Sequence, residues 1–377
     1  MKIKPSNPFL ISGYQGPDFF CDRESETDQL ASAINNGRHV CLVSPRRMGK
    51  TGLILHFFNR LNATDPTTKC FYIDIFPTQN LHDFTLALAH AVIGRLDDHS
   101  DAAIRRIGSF FKSFRPSFTF DSQTGSPSLS FDIKPSESRN SLAEVFEYIK
   151  ASGKHCVIAV DEFQQILDYP ERGVEALLRS HAQFLPNVGF VFAGSKKHLM
   201  EEMFSSAKRP FYQSAQKMDL KKIPPDSYRA FALDLFAKDG RELKSAAFDA
   251  IYSELSGHTW YVQMTLNRAY ALGKKTTTEN DARDVIDSAI ECENATYKAY
   301  CEMLPRGQLA VLKALAAERE VSEPLKSSFI AKHALGAASS VRQALRALED
   351  KALILRSDSG GYFVYDRFFG LWLSRAR

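Results

Sequence analysis

Four short runs rich in β-branched and aromatic residues, at 38–43, 70–75, 155–160 and 188–193, leave little freedom in how the first half of this chain can fold. They are apolar at nearly every position rather than at every second one, so both faces of each strand need covering. Stretches with helical spacing lie between them, at 50–61, 81–96, 142–151 and 172–182. Buried strands alternating with helices define an α/β architecture, a parallel sheet with helices on both faces. At 44% hydrophobic and 24% charged residues over 377 positions, the composition is that of a globular protein of two or three domains. A core of that size folds without disulfide or metal staples.

The six cysteines, Cys21, Cys41, Cys70, Cys156, Cys292 and Cys301, form no CxxC pair, and three fall inside strand runs. They read as small buried hydrophobes in a reducing compartment, and no Cys/His cluster suggests zinc. Residues 1–9 lack the apolar stretch of a secretory signal. No segment approaches the about 18 consecutive apolar residues that a membrane span requires. The expectation is a cytoplasmic protein with no membrane partner. A net charge of +4 is small for this length and points to no partner by itself.

Residues 114–133, FRPSFTFDSQTGSPSLSFDI, break the strand–helix alternation. Two period-2 runs, 117–120 and 128–133, flank a turn-rich centre at Thr124-Gly125. The segment reads as a β-hairpin inserted in the α/β core, or alternatively as an unstructured Ser-rich loop. From Pro224 onward the strand runs stop, and helical spacing recurs at 226–237, 244–255, 260–272 and 281–293. Ahead of the last, Thr278 followed three positions later by Asp281 resembles a capping box. The final segment predicts helices at 306–317, 327–333 and 339–351, then short strands at 353–356 and 362–365 around an Asp-Ser-Gly-Gly turn. Three helices followed by a two-stranded wing form a winged-helix pattern. The expected organisation is a core over 1–223 carrying the hairpin, a helical domain over 224–300 and a winged helix over 301–377.

Ser44-Pro45-Arg46-Arg47-Met48-Gly49-Lys50-Thr51 falls between the first strand and the first helix. It matches the phosphate-loop pattern GxxxxGK[ST], with Ser44 in place of the first glycine. Gly49 lets the backbone approach phosphates without a Cβ, and successive N–H groups plus a helix N-terminus bind the anion. Lys50 reaches the β/γ phosphates and the Thr51 hydroxyl ligates Mg²⁺, with nucleotide contacts expected from Ser44 through Gly52. Roughly a hundred residues later, an apolar strand ends in Asp161-Glu162. An acid at a neighbouring strand tip holds the Mg²⁺ shell, the role for Asp161, and Glu162 can deprotonate an attacking water. Alone, the pair reads equally as two solvated acids at a strand end. The run at 188–194 ends at Ser195, either a sensor of the γ-phosphate or an ordinary strand-ending residue. Arg209, beside Pro210, either neutralises transition-state charge, in cis or on a neighbouring subunit of a homo-oligomer, or is a solvated surface charge.

Together these motifs resemble the archaeal-type P-loop ATPases of the AAA+/STAND superfamily, found in archaea and in bacteria such as Bacteroidetes, whose phosphate loop reads PRRxGKT. The resemblance rests on Phe19-Phe20-Cys21-Asp22-Arg23-Glu24-Ser25-Glu26, on the loop, and on Asp161-Glu162-Phe163-Gln164. It extends to Gly257-His258-Thr259-Trp260-Tyr261-Val262-Gln263 and Asp366-Arg367-Phe368-Phe369-Gly370-Leu371-Trp372-Leu373, and so spans nearly the whole chain. It implies a P-loop NTPase core of AAA+-like type, a helical lid and a C-terminal winged helix, with ATP and Mg²⁺ as ligands. It also implies that residues 23–26 lie near the adenine or at the core's edge, and that His258 contacts nucleotide phosphate. Two positions depart from the family: Thr259-Trp260 follows His258 where Pro and an aromatic are usual, and Arg268 is the only arginine in the helix after Trp260.

The expected function is ATP binding and hydrolysis driving a molecular switch, with ATP closing lid on core and hydrolysis releasing the winged helix. The alternative is an ATP-holding module with little turnover whose winged helix docks DNA or a protein. Nothing beyond the loop suggests the second-substrate pocket of a kinase-like transferase. Residues 301–377 hold twelve Lys and Arg against eight Asp and Glu, with Arg342 and Arg346 one turn apart on the candidate recognition helix and Lys351 at its end. That spacing suits phosphate or groove contact, while a solvated basic face explains it as well.

Overall fold

The apolar runs become neighbouring strands of one parallel sheet. The computed structural model describes residues 5–93, 95–96, 111–112, 114–120, 127–357 and 360–375, and the chain divides into two units, 13–222 and 1–12 with 223–377. The first unit runs α1 (Glu24–Asn35), β1 (Val40–Val43), α2 (Lys50–Thr64), β2 (Lys69–Asp74), α3 (Leu81–Val92), β3 (Phe114–Phe120) and β4 (Pro127–Ile133). It continues through α4 (Ser138–Ala151), β5 (Cys156–Asp161), α5 (Val174–Gln183), β6 (Val188–Gly194), α6 (Lys197–Ser205) and β7 (Gln216–Asp219). The sheet order is β2-β5-β6-β1-β7, with every neighbouring pair parallel.

Two apolar layers account for the unbroken hydrophobicity of the strands. Cys41, Val43, Ile158, Val160, Phe190 and Phe192 face one layer, and Val40, Leu42, Val157, Ala159, Val191 and Ala193 face the other. Because strand side chains alternate, a strand covered on both faces has no position for a solvated group. Polar residues therefore begin where the strands end, with Ser44, Asp161 and Ser195 at the C-terminal tips of β1, β5 and β6. From β1 the chain crosses to β2 on one side, while β6 leads to β7 on the other. Open α/β sheets bind ligands at such a reversal, outside the carboxyl ends of the strands. β3 and β4 pair antiparallel, from Phe114 with Ile133 to Phe120 with Pro127, and the Thr124-Gly125 turn expected between them lies outside the described residues.

The second unit contains α7 (Pro225–Ala237), β8 (Glu242–Leu243), α8 (Ser245–Glu254), α9 (Thr259–Ala271), β9 (Thr276–Thr277), α10 (Glu279–Cys292) and α11 (Asn294–Glu302). It ends with α12 (Arg306–Glu318), α13 (Ser327–Lys332), α14 (Ala338–Asp350), β10 (Ile354–Arg356), β11 (Tyr362–Val364) and α15 (Arg367–Arg375). β8 and β9 pair in parallel, so the expectation of an all-helical stretch after Pro224 is corrected by a two-residue ladder closing the ends of α7 and α9. The capping box forms with the shorter acid: Thr278 N–H donates to Asp281 at 2.8 Å while Asp281 N–H donates to the Thr278 hydroxyl at 3.4 Å. Residues 5–12 pack in this unit, with Phe9 buried against Phe236 and Tyr270, and the Asn7 and Asn267 amides bonding across to Asn267 and Phe9 carbonyls. α15 buries Phe368, Phe369, Leu371 and Leu373, and its Trp372 indole donates to Asn294 at 3.0 Å. Phe368 meets Tyr261 of α9 edge-on, so α15 packs the wing elements onto the preceding helices within this one unit.

Among the described residues no helix is long and apolar enough to cross a membrane, and all six cysteines are free.

Candidate functional site

β1 leads directly into the loop. Ser44 is fully buried, its N–H donates to the Gly194 carbonyl at 3.1 Å, and its hydroxyl donates to the Pro45 carbonyl at 3.0 Å. Ser44 is not among the residues with positive φ, so the position where the pattern writes glycine asks nothing a serine cannot provide. Arg47 at φ 65° and Gly49 at φ 95° are the left-handed residues of the loop. Gly49 caps α2, which places the freest backbone where the helix leaves its first N–H groups unbonded.

Lys50 opens α2 and is buried, with Nζ 2.7 Å from Asp161 Oδ1 and 2.9 Å from Glu162 Oε1. The Thr51 and Tyr72 hydroxyls each donate to Asp161 Oδ2 at 2.8 Å, and the Glu162 N–H donates to Oδ1 at 2.9 Å. Glu162 leaves the strand with φ 56°. Its Oε2 accepts from the Ser195 hydroxyl at 2.6 Å and from Gln164 Nε2 at 2.5 Å. Burial pushes both carboxyls up. Lys50 and the hydroxyl and amide donors outweigh it and hold Asp161 and Glu162 below their ordinary values. Two ionised acids and one lysine leave the cluster with a net negative charge. An all-oxygen donor set such as the Asp161 carboxylate and Thr51 hydroxyl suits a small hard cation such as Mg²⁺.

The structure thus brings Lys50, Thr51, Asp161, Glu162 and Ser195 together at the sheet's carboxyl edge. Met48 is buried, Pro45 half-buried, and the exposed Arg46 sets its guanidinium 5.3 Å from the Phe76 ring centroid. Gly52 lies under the Phe20 ring. Arg23 is buried at the start of α1, donating to Glu26 and to the Lys221 carbonyl, both at 2.6 Å, and so ties that helix to the chain leaving β7. Arg209 pairs instead with Glu175 at 3.3 Å and Glu202 at 3.0 Å. His258 lies in the second unit, buried at the N-cap of α9 and edge-on to Tyr261. Two contributors escaped the sequence reading. Gln164 stands in the quoted Asp-Glu-Phe-Gln motif without a role there, and Tyr72 was legible only as a hydroxyl within an otherwise apolar strand.

The acids stand not on the neighbouring strand expected from the sequence but on β5, with β6 between it and β1. A glycine-capped loop whose lysine meets such an acidic strand tip is the arrangement of the P-loop NTPases, and the sheet and site place this chain in that class. A family profile described as an ATPase domain predominantly from Archaea matches residues 20–265, and one described as a probable winged helix domain matches 295–375. The chain belongs to this archaeal-type ATPase family. Among solved structures it is similar to a Walker-type ATPase of Pyrococcus abyssi at 18% identity and TM-score 0.66, covering 97% of this chain and 99% of that one. The ORC2 protein of Aeropyrum pernix, in ADPNP–ADP complexes, shares 15% identity at TM-score 0.58 over 97% of this chain and 95% of its own. ORC1 of the same organism, in complex with DNA, shares 13% at TM-score 0.52 over 95% and 93%. At these identities the likeness is one of fold. Among curated proteins no sequence match is found.

Proposed function

We propose that the protein binds Mg·ATP at loop 44–52, hydrolyses it to ADP, and uses the cycle as a molecular switch. The observation that carries this reading is the contact of Lys50 with both Asp161 and Glu162, alongside Thr51 on Asp161. Lys50 gives the loop its fixed positive charge for the β/γ phosphates, and the N–H groups after Gly49 add to it. Thr51 and Asp161 would hold Mg²⁺, which when bound neutralises charge on the phosphate oxygens. Glu162, kept ionised and oriented by Ser195 and Gln164, accepts the proton of the attacking water. Ser195 therefore acts on the phosphate through Glu162. For Arg209 to reach a phosphoryl group, in cis or in trans, it has to leave Glu175 and Glu202. His258 is the contact the second unit would offer to phosphate. In this reading the core is 1–223 apart from residues 5–12, which pack with the second unit, the lid is 224–300 and the winged helix 301–377, with lid and winged helix moving together because α15 packs one on the other. Six free thiols fit work in a reducing cytoplasm.

The test is ATP turnover by the full chain, Lys50→Ala and Glu162→Gln. Lys50→Ala should lose binding, and Glu162→Gln should bind ATP while turning over at least ~10²-fold more slowly. Binding without turnover in the unmutated protein would favour the ATP-holding module instead. Absence of nucleotide binding would overturn both.

A DNA output is favoured by one further observation. Arg342 and Arg346 are exposed on α14 without an ion pair among the described residues, and with Lys326 and Arg356 they line a groove of about 610 Å³ beside the wing. A fold neighbour, ORC1, is solved on DNA. Arg342→Ala/Arg346→Ala should weaken duplex binding and reduce its logarithmic salt slope by about 2. An unchanged slope would leave a protein partner as the output.

A further inference from the structure

The terminal motif holds one residue that nucleotide chemistry does not use. Its apolar members bury α15 in the second unit, and Arg367 is the exception. The Arg367 guanidinium lies 4.2 Å from the Phe363 ring centroid, and its Nε is buried with no hydrogen-bond partner. Among the described residues no carboxylate pairs with it. Burial pulls the group down to about 10, opposed by Tyr261 and Glu320 at a distance and reinforced by Arg319. The acids nearby are already engaged. Glu254 pairs with Arg319 at 3.0 Å and Arg375 at 3.8 Å, and Glu320 accepts from the Ser357 hydroxyl.

Arg367 also lines a cavity of about 210 Å³ in the second unit, formed where the ends of α8 and α12 meet α15. Glu254, Ser256 and Arg319 also line it, the Glu254 carboxylate being the one already paired with Arg319. Arg367 keeps part of its surface exposed, but a guanidinium nitrogen buried without a hydrogen-bond partner or counter-charge is disfavoured, and stacking on one phenyl ring returns only part of that. Arg319 and Arg375 share the Glu254 carboxylate, and Arg375 also meets Asp287 at 2.6 Å, so Arg367 is the arginine here whose charge no carboxylate meets among the described residues. The guanidinium fork matches tetrahedral oxyanions in a bidentate manner, and a serine hydroxyl beside it supplies a further donor.

We propose that this cavity is a binding site for a small phosphate-type oxyanion, free phosphate or a small phosphate monoester, held by Arg367 with Ser256 and Arg319 beside it. The site is independent of the phosphate loop and lies in the unit that contains both tryptophans, Trp260 and Trp372. Tryptophan emission of the full chain is therefore titrated with inorganic phosphate at constant ionic strength, and in parallel with glycerol phosphate. A saturable change is expected, weakened at least tenfold in Arg367→Met. Gly370→Asp sets a carboxylate one turn from Arg367 on the cavity wall, where a Cβ meets only Val364 at 3.4 Å. It should abolish the response, while Gly370→Asn retains it. That pair decides the matter even if Arg367→Met fails to fold. Tighter binding of the monoester identifies the organic phosphate as the ligand, and tighter inorganic phosphate the free ion. No saturable response, or the same response in Arg367→Met and Gly370→Asp as in the unmutated chain, overturns the proposal.

Discussion

Replacing Lys50 by methionine keeps the length of the side chain and removes its charge, leaving Asp161 and Glu162 facing one another in a buried site. The two contacts, at 2.7 and 2.9 Å, are each worth about 6 kcal/mol at an effective dielectric of ~20. Desolvation of the three ions offsets several kcal/mol per ion, so breaking the cluster should destabilise the first unit by about 3–5 kcal/mol at neutral pH. The pH dependence is the sharper signature. In the unmutated chain both carboxyls sit below their ordinary values, so their stabilising contribution is complete above about pH 5 and is lost only as acid protonates them. Without Lys50, burial and mutual repulsion both raise them, and the folded pair retains a proton that the unfolded chain has released. Folded Lys50→Met then binds more protons than its unfolded state, so its stability falls as pH rises, by up to ~1.4 kcal/mol per pH unit while the pair titrates. Urea unfolding of both proteins between about pH 5.5 and pH 8 measures this gap, and adding Glu162→Gln should recover part of it by removing one of the two charges. A gap under about 1 kcal/mol, or one that stays constant with pH, would refute the electrostatic account of the cluster.

Gly49→Ala meets no atom within 4 Å, so its loss of stability, about 1–2 kcal/mol, should be purely conformational, while nucleotide affinity falls further. Denaturation and nucleotide titration on the same preparation separate the two. Gly194→Ala would set a Cβ 2.4 Å from Gln164 Oε1 and 2.5 Å from Met200 Sδ, and overpacking of that kind destabilises by about 1–3 kcal/mol. Because Gln164 must move, turnover should fall as well, and Gly194→Ala/Gln164→Ala should regain no rate and only part of the stability, since the Met200 contact remains. In the second unit, Lys274 and the Thr278 groups hold the Asp281 carboxyl down at about 2. Its contribution is present above about pH 4 and disappears as pH falls toward 2, so the stability difference between the native chain and Asp281→Asn should close over that window.

The strands that carry the site were legible because burial on both faces leaves a continuous apolar signature, and the acids appear where that signature ends. β7 left no such trace: Gln216–Asp219 is a four-residue edge strand in which only Met218 is buried. α15 was hidden for a different reason. Phe368, Phe369, Leu371 and Leu373 read as a motif, and nothing in their spacing reveals that the helix packs on Tyr261 and Asn294, a long-range contact. Within the site, Lys50, Thr51, Asp161 and Glu162 follow from spacing and strand context. Gln164 depends on the 3-10 turn at Phe163–Asp168, which brings its amide back to Glu162 two residues earlier. A parallel strand or an α-helix would have directed that side chain elsewhere.

Left-handed non-glycine residues occur at the site and away from it, Asp22, Arg23, Gln213 and Arg319 among them, and they have different causes. Ser256, Ala334 and Ala352 take positive φ, but each stands one residue past a helix C-cap. Each is held by the paired bonds of a Schellman stop, such as Ala352 to Glu349 and Leu353 to Leu348. Local helix termination explains them without reference to function. Arg47 and Glu162 end no helix. Both stand at the carboxyl edge of the sheet, Arg47 two residues before the capping glycine and Glu162 as the second of the two acids that meet Lys50. A left-handed non-glycine residue costs roughly 1–3 kcal/mol and persists only where its surroundings over-determine it. At Glu162 the surroundings are visible: its own N–H to Asp161, its carboxylate to Lys50, Ser195 and Gln164. Those bonds act on the side chain's charge, so the conformation of the backbone and the ionisation of the carboxylate are maintained by the same contacts. Substituting glycine at 162 should therefore relax the backbone yet leave Lys50 with one acid fewer, and any stability gained from the first effect is opposed by the second.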